Sequence, residues 1–370
     1  MRNLLTAGLP DLEARKNLSV VLQDRRPLWY PDLMEACWYI GCRSKELRRQ
    51  PIGVTIVKRP LALFRGAQGR PAAVEDRCLH RGAPLAAGAV ESGHLACPYH
   101  GWRYAMDGSV AHIPAMPAGC PIPEHFRVPA YSCLEQDGFV WVHPDPSIPI
   151  SSPRRFPFLG ERGWSSFVLK TIFRAPVEAC LENFLDCPHA TTVHRTWFRT
   201  PTSKTIRAIV RTLPDGAEAE YLDEPREKSV VWTLIAPSKE HRMRHTDRFI
   251  APSTTEVDYQ FSNDARYLIT SACTPVDDST TLVHTVITFR FGWLTPFIRL
   301  FFRPLARQII QQDVSMLDRL QENAARFGRP RFTVIPQDLL MPHILQWRNA
   351  LRNGAPVPAA GREEHVDLRL

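Results

Sequence analysis

Four residues in two short clusters carry the first chemical signal in this 370-residue chain. Cys78-Leu79-His80 is followed by Cys97-Pro98-Tyr99-His100. Each cluster offers one thiol and one imidazole, ligand types that together suit a soft or borderline metal. A structural zinc ion is one reading. Zinc fingers, however, usually keep the cysteine pair and the histidine pair in separate halves. Here each half mixes the two. That pairing suits a 2Fe–2S cluster in which one iron takes two cysteines and the other takes two histidines.

A second constellation lies in residues 176–198, PVEACLENFLDCPHATTVHRTWF. Read as a helix, it places Asn183, Asp186 and His189 at i, i+3 and i+6, on one face. His194 lies five residues further on, past a distortion expected at Pro188. Two imidazoles and one carboxylate make a facial triad for non-haem Fe(II), with open positions left for dioxygen. Taken alone, the histidine spacing fits ordinary helix polar residues equally well. If a distant carboxylate completes the triad, the C-terminal helix offers Asp313, Asp318 and Glu322. Asp313 has Ile309, Ile310, Met316, Leu317 and Leu320 as helical neighbours. A carboxylate on an apolar stripe is costly unless paired or metal-bound. Asp318 sits among Val314, Ser315, Gln321 and Glu322, a wetter face, so Asp313 is the candidate.

The elements that must position these residues follow from patterning. Residues 1–35 read as a helical lead-in. From Gly53 the chain breaks into short alternating stretches (GVTIV, LALFRG, PAAVED) separated by turn signals such as Asp107-Gly108. This small antiparallel β domain, residues 36–150, ends near the strand Gly138–Val142, before a proline-rich linker. A second domain, residues 151–350, starts with SFVLKTIF and a helix with Pro176 in its first turn. It continues with the β-like segments TIRAIVRT, SVVWTLI, TEVDYQF, RYLITSA and TLVHTVITFRF. A long helix follows, with Thr295 as N-cap, a bend at Pro304 and a stop at Gly328 and Pro330. The expected class is α+β: a small β domain, then a helix-grip domain whose curved antiparallel sheet wraps the long C-terminal helix around a pocket. Residues 351–370 read as a surface tail.

Composition narrows the function classes. With 44% hydrophobic and 23% charged residues the chain is globular rather than disordered. Its net charge is +8, but the basic residues are mostly arginines scattered from Arg2 to Arg369 among acidic ones. This is a solvated basic surface, or one that steers an acidic protein partner, and not a nucleic-acid patch. Nine spread cysteines do not form a disulfide framework. The apolar run Phe291–Phe302 is interrupted by Arg299 and falls short of the ~20 residues of a membrane span. The N-terminus has no signal-peptide run. A soluble, cytoplasmic protein is expected.

The motifs also carry a resemblance. CLHRGAPL and CPYHGWRY resemble the two cluster-binding loops of Rieske proteins. ENFLDCPHATTVH is similar to the iron-binding helix of Rieske-type oxygenases, where Asn, Asp, His and His stand at this spacing, and QQDVSMLDRLQ resembles their carboxylate-bearing helix. Their order and separation resemble the α (terminal oxygenase) subunit of Rieske non-haem iron aromatic-ring-hydroxylating oxygenases over residues 36–328. The branch resembled contains vanillate and dicamba demethylases and aminopyrrolnitrin oxygenase. The resemblance implies Cys78, His80, Cys97 and His100 as cluster ligands, and His189, His194 and Asp313 as ligands of one mononuclear Fe(II). It further implies a homotrimer in which Asp186 bridges His189 of its own chain to His100 of the next, with Asn183 beside it as a catalytic residue. Electrons would come from a separate reductase, with or without a ferredoxin. The substrates would be O2 and a small, largely apolar aromatic or cyclic compound, hydroxylated or oxidatively dealkylated. Neither cluster loop has a spare cysteine, and Gly101-Trp102 follows His100, which places the cluster at the low end of the range of about −150 to +300 mV.

Weaker signals are read conservatively. His241 and His245 are expected on the surface, His94, His112, His125 and His143 in local hydrogen bonds, and Trp197 and Phe198 in the pocket or the core. The rival reading is a Rieske electron-transfer protein whose second domain binds a ligand without catalysis. Protein purified without oxygen should hold about three irons and two acid-labile sulfides per chain. About two irons, unchanged after Fe(II) is added back, would favour the electron carrier.

Overall fold

A computed structural model describes residues 34–145, 147, 151–194, 205–222, 243–261, 265–292, 295–328 and 333–369. Most of the expected lead-in, the segment SVVWTLI, and Trp197, Phe198 and His241 lie outside the described residues. Among the described residues no helix is long and apolar enough to cross a membrane.

The N-terminal half is two antiparallel sheets. Strands β1 (Tyr39–Arg43), β2 (Ile52–Ile56), β3 (Arg59–Arg65), β4 (Pro71–Glu75), β5 (Ala89–Glu91), β6 (His94–Ala96), β7 (Arg103–Tyr104), β8 (Val110–His112), β9 (Ala130–Gln136) and β10 (Phe139–His143) follow in chain order. The larger sheet has the order β1-β10-β9-β4-β3-β2 and the smaller β5-β6-β7-β8. Phe64, Val74, Leu85, Leu95 and Tyr104 form the core between them, and Cys78 and Cys97 belong to that core. The expected turn at Asp107-Gly108 needs its glycine. Gly108 has φ +80°, and a Cβ there would lie 2.1 Å from the Val128 carbonyl oxygen.

The C-terminal half is one eight-stranded antiparallel sheet. Its strands are β11 (Ser165–Phe173), β12 (Thr205–Leu213), β13 (Gly216–Leu222), β14 (Met243–Ile250), β15 (Thr254–Phe261), β16 (Arg266–Asp277), β17 (Thr280–Arg290) and β18 (Glu363–Arg369), in the order β11-β17-β16-β15-β14-β13-β12-β18. Among the described residues three α-helices accompany it: α1 (Val177–Leu185), α2 (Thr295–Phe327) and α3 (Met341–Arg352). Leu317 of α2 shares a core with Cys180, Leu181 and Leu185 of α1, while Phe302 and Ala306 pack on Phe167, Tyr267 and Phe289 of the sheet. This is the helix-grip architecture expected.

Three local expectations are corrected. The C-terminal segment is not only a surface tail: β18 pairs with β12 from Thr205–Arg369 to Arg211–Glu363 and forms the sheet edge. Its alternation of exposed charges with Val366 and Leu368 covers that edge. The helix carrying the second constellation ends at Leu185, where Asp186 turns to φ −84°, ψ 88°. A 3-10 segment, Cys187–Thr191, follows. The cause is Pro188, which has no N–H to donate back to the Phe184 carbonyl and whose ring crowds that carbonyl, so the α-helix cannot run through it. Asn183 and His189 therefore do not share a helical face. At the start of α2 the Thr295 hydroxyl turns back, donating to Gly292 O at 2.7 Å and accepting from Phe291 N–H at 2.8 Å.

The two halves are joined by backbone and core. Val57 and Lys58 N–H donate to Pro275 and Val276 carbonyls at 2.8 Å, and Ile40, Phe139 and Trp141 pack with Phe156, Ala272 and Val286. His284 is fully buried at this junction, 5.6 Å from Phe139 between ring centroids. Neither of its ring nitrogens hydrogen-bonds a described group. Burial, with Lys170 and Arg43 nearby, pushes its pKa down from 6.5 to about 3. The unfolded chain therefore takes up a proton below about pH 6.5 that the folded chain refuses until about pH 3, and this contribution to stability is lost as pH falls through that window. His284→Leu should flatten the acid limb, with a smaller drop in denaturant midpoint between pH 6.5 and 4 than in the parent. An equal drop would assign acid sensitivity elsewhere.

Candidate metal centres and substrate pocket

The two cysteine–histidine loops are built alike. Each has a glycine four residues after its cysteine, Gly82 and Gly101, at φ +71° and +70°. Gly82 N–H donates to the Cys78 carbonyl at 2.9 Å and Gly101 N–H to the Cys97 carbonyl at 3.1 Å. Cys78 N–H donates to Ala83 O and Cys97 N–H to Trp102 O, both at 2.8 Å. Each loop thus curls about its cysteine, and the left-handed glycine closes the curl. The thiols end up inside and the imidazoles outside. Cys78 and Cys97 are 3% and 4% exposed, while His80 and His100 face solvent with ring centroids 4.6 Å apart. His80 also stacks on Trp102 at 4.9 Å.

This arrangement fits a two-iron cluster, with the inner iron on sulfur and the outer on nitrogen. The sulfur side is supplied with donors. Burial raises the Cys97 thiol, but the N–H groups of Tyr99 and His100 work the other way and favour the thiolate. Tyr104 OH accepts from Leu79 N–H at 3.0 Å, so its own hydrogen is left to donate to Cys78 Sγ, 3.1 Å away.

In the second half, His189, His194 and Asp313 are brought together by three different elements: the 3-10 segment, the turn after it, and α2. The Nε2 atoms of His189 and His194 are 3.2 Å apart. Asp313 Oδ1 lies 3.1 Å from His194 Nε2 and 3.5 Å from His189 Nε2. Metal bonds of about 2.1 Å at right angles would set neighbouring ligand atoms about 3.0 Å apart. The spacing is that of one face of an octahedron. Asp313 is 6% exposed, and its Oδ1 has no hydrogen-bond donor among the described residues. Burial would raise its pKa, but the two imidazoles outweigh burial and hold it at about 2. A buried ionised oxygen facing two ring nitrogens fits a divalent cation. Asp318 is not brought to this point, and among the described residues no other His, Cys, Asp or Glu group has this convergence.

The other nitrogens of the two imidazoles are held by acceptors. His189 Nδ1 donates to the Asp186 carbonyl, and His194 Nδ1 donates to Gln312 Oε1 at 2.8 Å. Both rings therefore present Nε2 to the centre. The Asp186 carboxylate is 41% exposed and lies 3.9 Å from His189 Nδ1. It borders a crevice with Glu182 and Asp338, where burial and the neighbouring Asp186 and Asp338 push Glu182 up to about 7. Asn183 lines the pocket, and its buried Nδ2 has no acceptor among the described residues.

The triad lines a cavity of about 130 Å3. Its walls are mostly apolar, from Val257, Ile269, Ile287, Ile309 and Ile310. A cavity of this size suits a single small ring. His245 corrects another expectation, since it is a pocket residue 1% exposed rather than a surface one. It is sandwiched between Tyr221 and Tyr259, with centroids at 4.5 and 4.3 Å, and its Nε2 lies 3.0 Å from Asp247 Oδ1. Tyr221 OH donates to Asp247 Oδ2 at 3.0 Å. The signal for this buried group is the alternation His245, Asp247, Phe249 along β14, all inward.

Sequence comparisons agree with this geometry. The profile of the Rieske [2Fe-2S] domain matches residues 37–132, and that of the vanillate O-demethylase oxygenase C-terminal domain matches residues 173–353. The chain belongs to the Rieske-type non-haem iron oxygenases. It is 35% identical to aminopyrrolnitrin oxygenase of Pseudomonas fluorescens over 44% of this chain and 46% of that one. It is 25% identical to chlorophyllide a oxygenase of Arabidopsis thaliana over 88% of this chain and 59% of that one. The matches therefore span about half the length of these relatives. The fold is shared with the crystal structure of dicamba monooxygenase bound to 3,6-dichlorosalicylic acid, at TM-score 0.77 and 21% identity over 86% of this chain and 98% of that one.

The cofactors of a Rieske-type oxygenase are a 2Fe–2S cluster and a mononuclear iron. Hydrogen bonds to the sulfurs of such a cluster raise its reduction potential. Tyr104→Phe removes the donor at Cys78 while keeping the ring, and should lower the midpoint potential in a redox titration. An unchanged potential would mean that the hydroxyl does not face the cluster.

Proposed function

We propose that the chain is a terminal oxygenase that takes electrons from a separate reductase, directly or through a ferredoxin, and uses O2 to hydroxylate or oxidatively dealkylate a small, largely apolar aromatic or cyclic substrate. The observation that carries this reading is the facial convergence of His189, His194 and Asp313 in the wall of a mostly apolar cavity. A mononuclear iron held there would supply O2 activation. The protein's own part is to aim and exclude. Ile269, Ile287 and Ile310 would hold an apolar ring by burial and keep bulk water from the reacting face. The His245–Asp247 pair, polar and buried, would orient a polar substituent of that ring. The neighbour structure with a bound chlorinated salicylic acid supports a single-ring substrate.

On this reading residues 36–150 and 151–350 are the Rieske and catalytic domains. His80, His100, Cys78 and Cys97 hold the cluster. The exposed His100 edge and the partly exposed Asp186 carboxylate support a contact between chains, so the assembly is proposed to be a homotrimer with Asp186 as the bridge. Leu79 and Tyr99, exposed beside the cluster histidines, would form the apolar part of that contact. The basic surface would serve an acidic electron carrier. A cytoplasmic protein that binds neither nucleic acid nor membrane is proposed.

Two measurements test the reading. Protein loaded with both metals should consume O2 in a substrate-dependent way when coupled to a reductase; consumption that no ring compound stimulates would count against an oxygenase. Asp186→Ala should keep cluster and mononuclear iron yet lose about 100-fold or more of coupled turnover. Wild-type turnover in that variant would remove Asp186 from the electron path.

A further inference from the structure

Gln312 precedes Asp313 on α2, and the two residues grip the same imidazole from opposite sides. Asp313 Oδ1 lies 3.1 Å from His194 Nε2, and Gln312 Oε1 lies 2.8 Å from His194 Nδ1. We propose that Gln312 is the positioning residue for His194: its amide oxygen selects the imidazole tautomer that binds the mononuclear metal and fixes the plane of the ring. The inference rests on the proposed metal role of His189, His194 and Asp313.

The two histidines differ in what holds them. His189 lies within the 3-10 segment, and its Nδ1–H is taken by the Asp186 carbonyl three residues earlier. That acceptor is backbone and comes with the turn. His194 lies beyond the segment, in a turn that belongs to no helix or strand. The acceptor at its Nδ1, Gln312 Oε1, comes from 118 residues away. Ring orientation at His194 thus depends on a side chain of the helix that also supplies the carboxylate.

The chemistry follows from the two ring nitrogens. A neutral imidazole carries one proton, and the nitrogen without it offers the lone pair. An amide oxygen at Nδ1 places the proton there and leaves the Nε2 lone pair for a metal. The opposite amide orientation would set N–H groups against Nδ1 and favour the wrong tautomer. Gln312 accepts as a neutral group, so it polarises the ring less than a carboxylate would. An amide here holds the ligand without making it strongly anionic. The side chain is half-buried at the floor of a surface groove with Gln308, Gln311 and Ser315, on a side of α2 other than the one that lines the substrate cavity. Its effect should fall on the metal and not on substrate contacts.

The experiment is an anaerobic Fe(II) titration of full-length protein whose cluster is intact and whose mononuclear iron has been removed by chelation. Wild type, Gln312→Leu, Gln312→Glu and His194→Ala are compared, with the Fe(II)–nitrosyl EPR signal as a second readout and the cluster's visible spectrum as a check of folding. Gln312→Leu should bind Fe(II) about 10–100-fold more weakly and broaden the nitrosyl signal, with the cluster spectrum unchanged. Gln312→Glu keeps an acceptor and should restore affinity to the wild-type level or above, with a shifted nitrosyl signal. Affinity of Gln312→Leu within about twofold of wild type would overturn the proposal, as would a Gln312→Glu variant no better than Leu. If the leucine variant loses its cluster spectrum, the glutamate variant decides alone. If wild type holds no more Fe(II) than His194→Ala, the metal reading of the triad falls, and this proposal falls with it.

Discussion

The catalytic half depends on one costly placement, an ionised carboxylate put out of reach of water. Asp313 is almost fully buried on an otherwise apolar face of α2. Burying an unpaired charge costs several kcal/mol or more. Two imidazole edges favour the charged form, yet Oδ1 has no donor among the described residues. On the proposed reading, a cation between the three atoms completes the arrangement. The curved sheet, the long helix it grips and the broken helix α1 can be understood as what is needed to bring those atoms to within a metal's reach.

The break after α1 is as necessary as the burial. An unbroken helix through Pro188 would direct Asp186 and His189 along one face. Because Pro188 stops the helix, Asp186 takes an intermediate backbone conformation and His189 begins a new turn. One residue then points its carbonyl at the His189 ring and its carboxylate toward the surface. The proline that looks like a defect in the helical pattern gives Asp186 two faces.

Legibility followed sequence distance. The cluster loops are local: a cysteine, a histidine and a left-handed glycine within five residues determine each curl, and both could be read from CLHRG and CPYHG. Asp313 was legible because its apolar neighbours contradicted it. The helix-grip class was legible from strand alternation and one long amphipathic helix. The rest required pairing across the chain. β18 is short and charged, and nothing local says that it meets β12. His245 looked like a surface residue because the inward register of β14 is set by its partners β13 and β15. Gln312 is one of several polar residues on α2, and only tertiary contact with His194 distinguishes it.

The two centres also differ in how their ligands are held, and this bears on their chemistry. At the cluster, the groups around the cysteines are mostly backbone N–H and C=O set by loop curvature, with the Tyr104 hydroxyl the side chain that joins them. Such a shell suits a centre that only passes electrons, where constancy of potential matters more than access. At the triad, three elements converge, and one ligand is oriented by a side chain from the far end of the chain. Tertiary assembly is a weaker constraint than a closed loop, but it leaves one side of the triad facing a cavity instead of backbone. A centre that must admit O2 and a substrate needs that open side. The looser, longer-range construction of the second site is therefore a consequence of its proposed task.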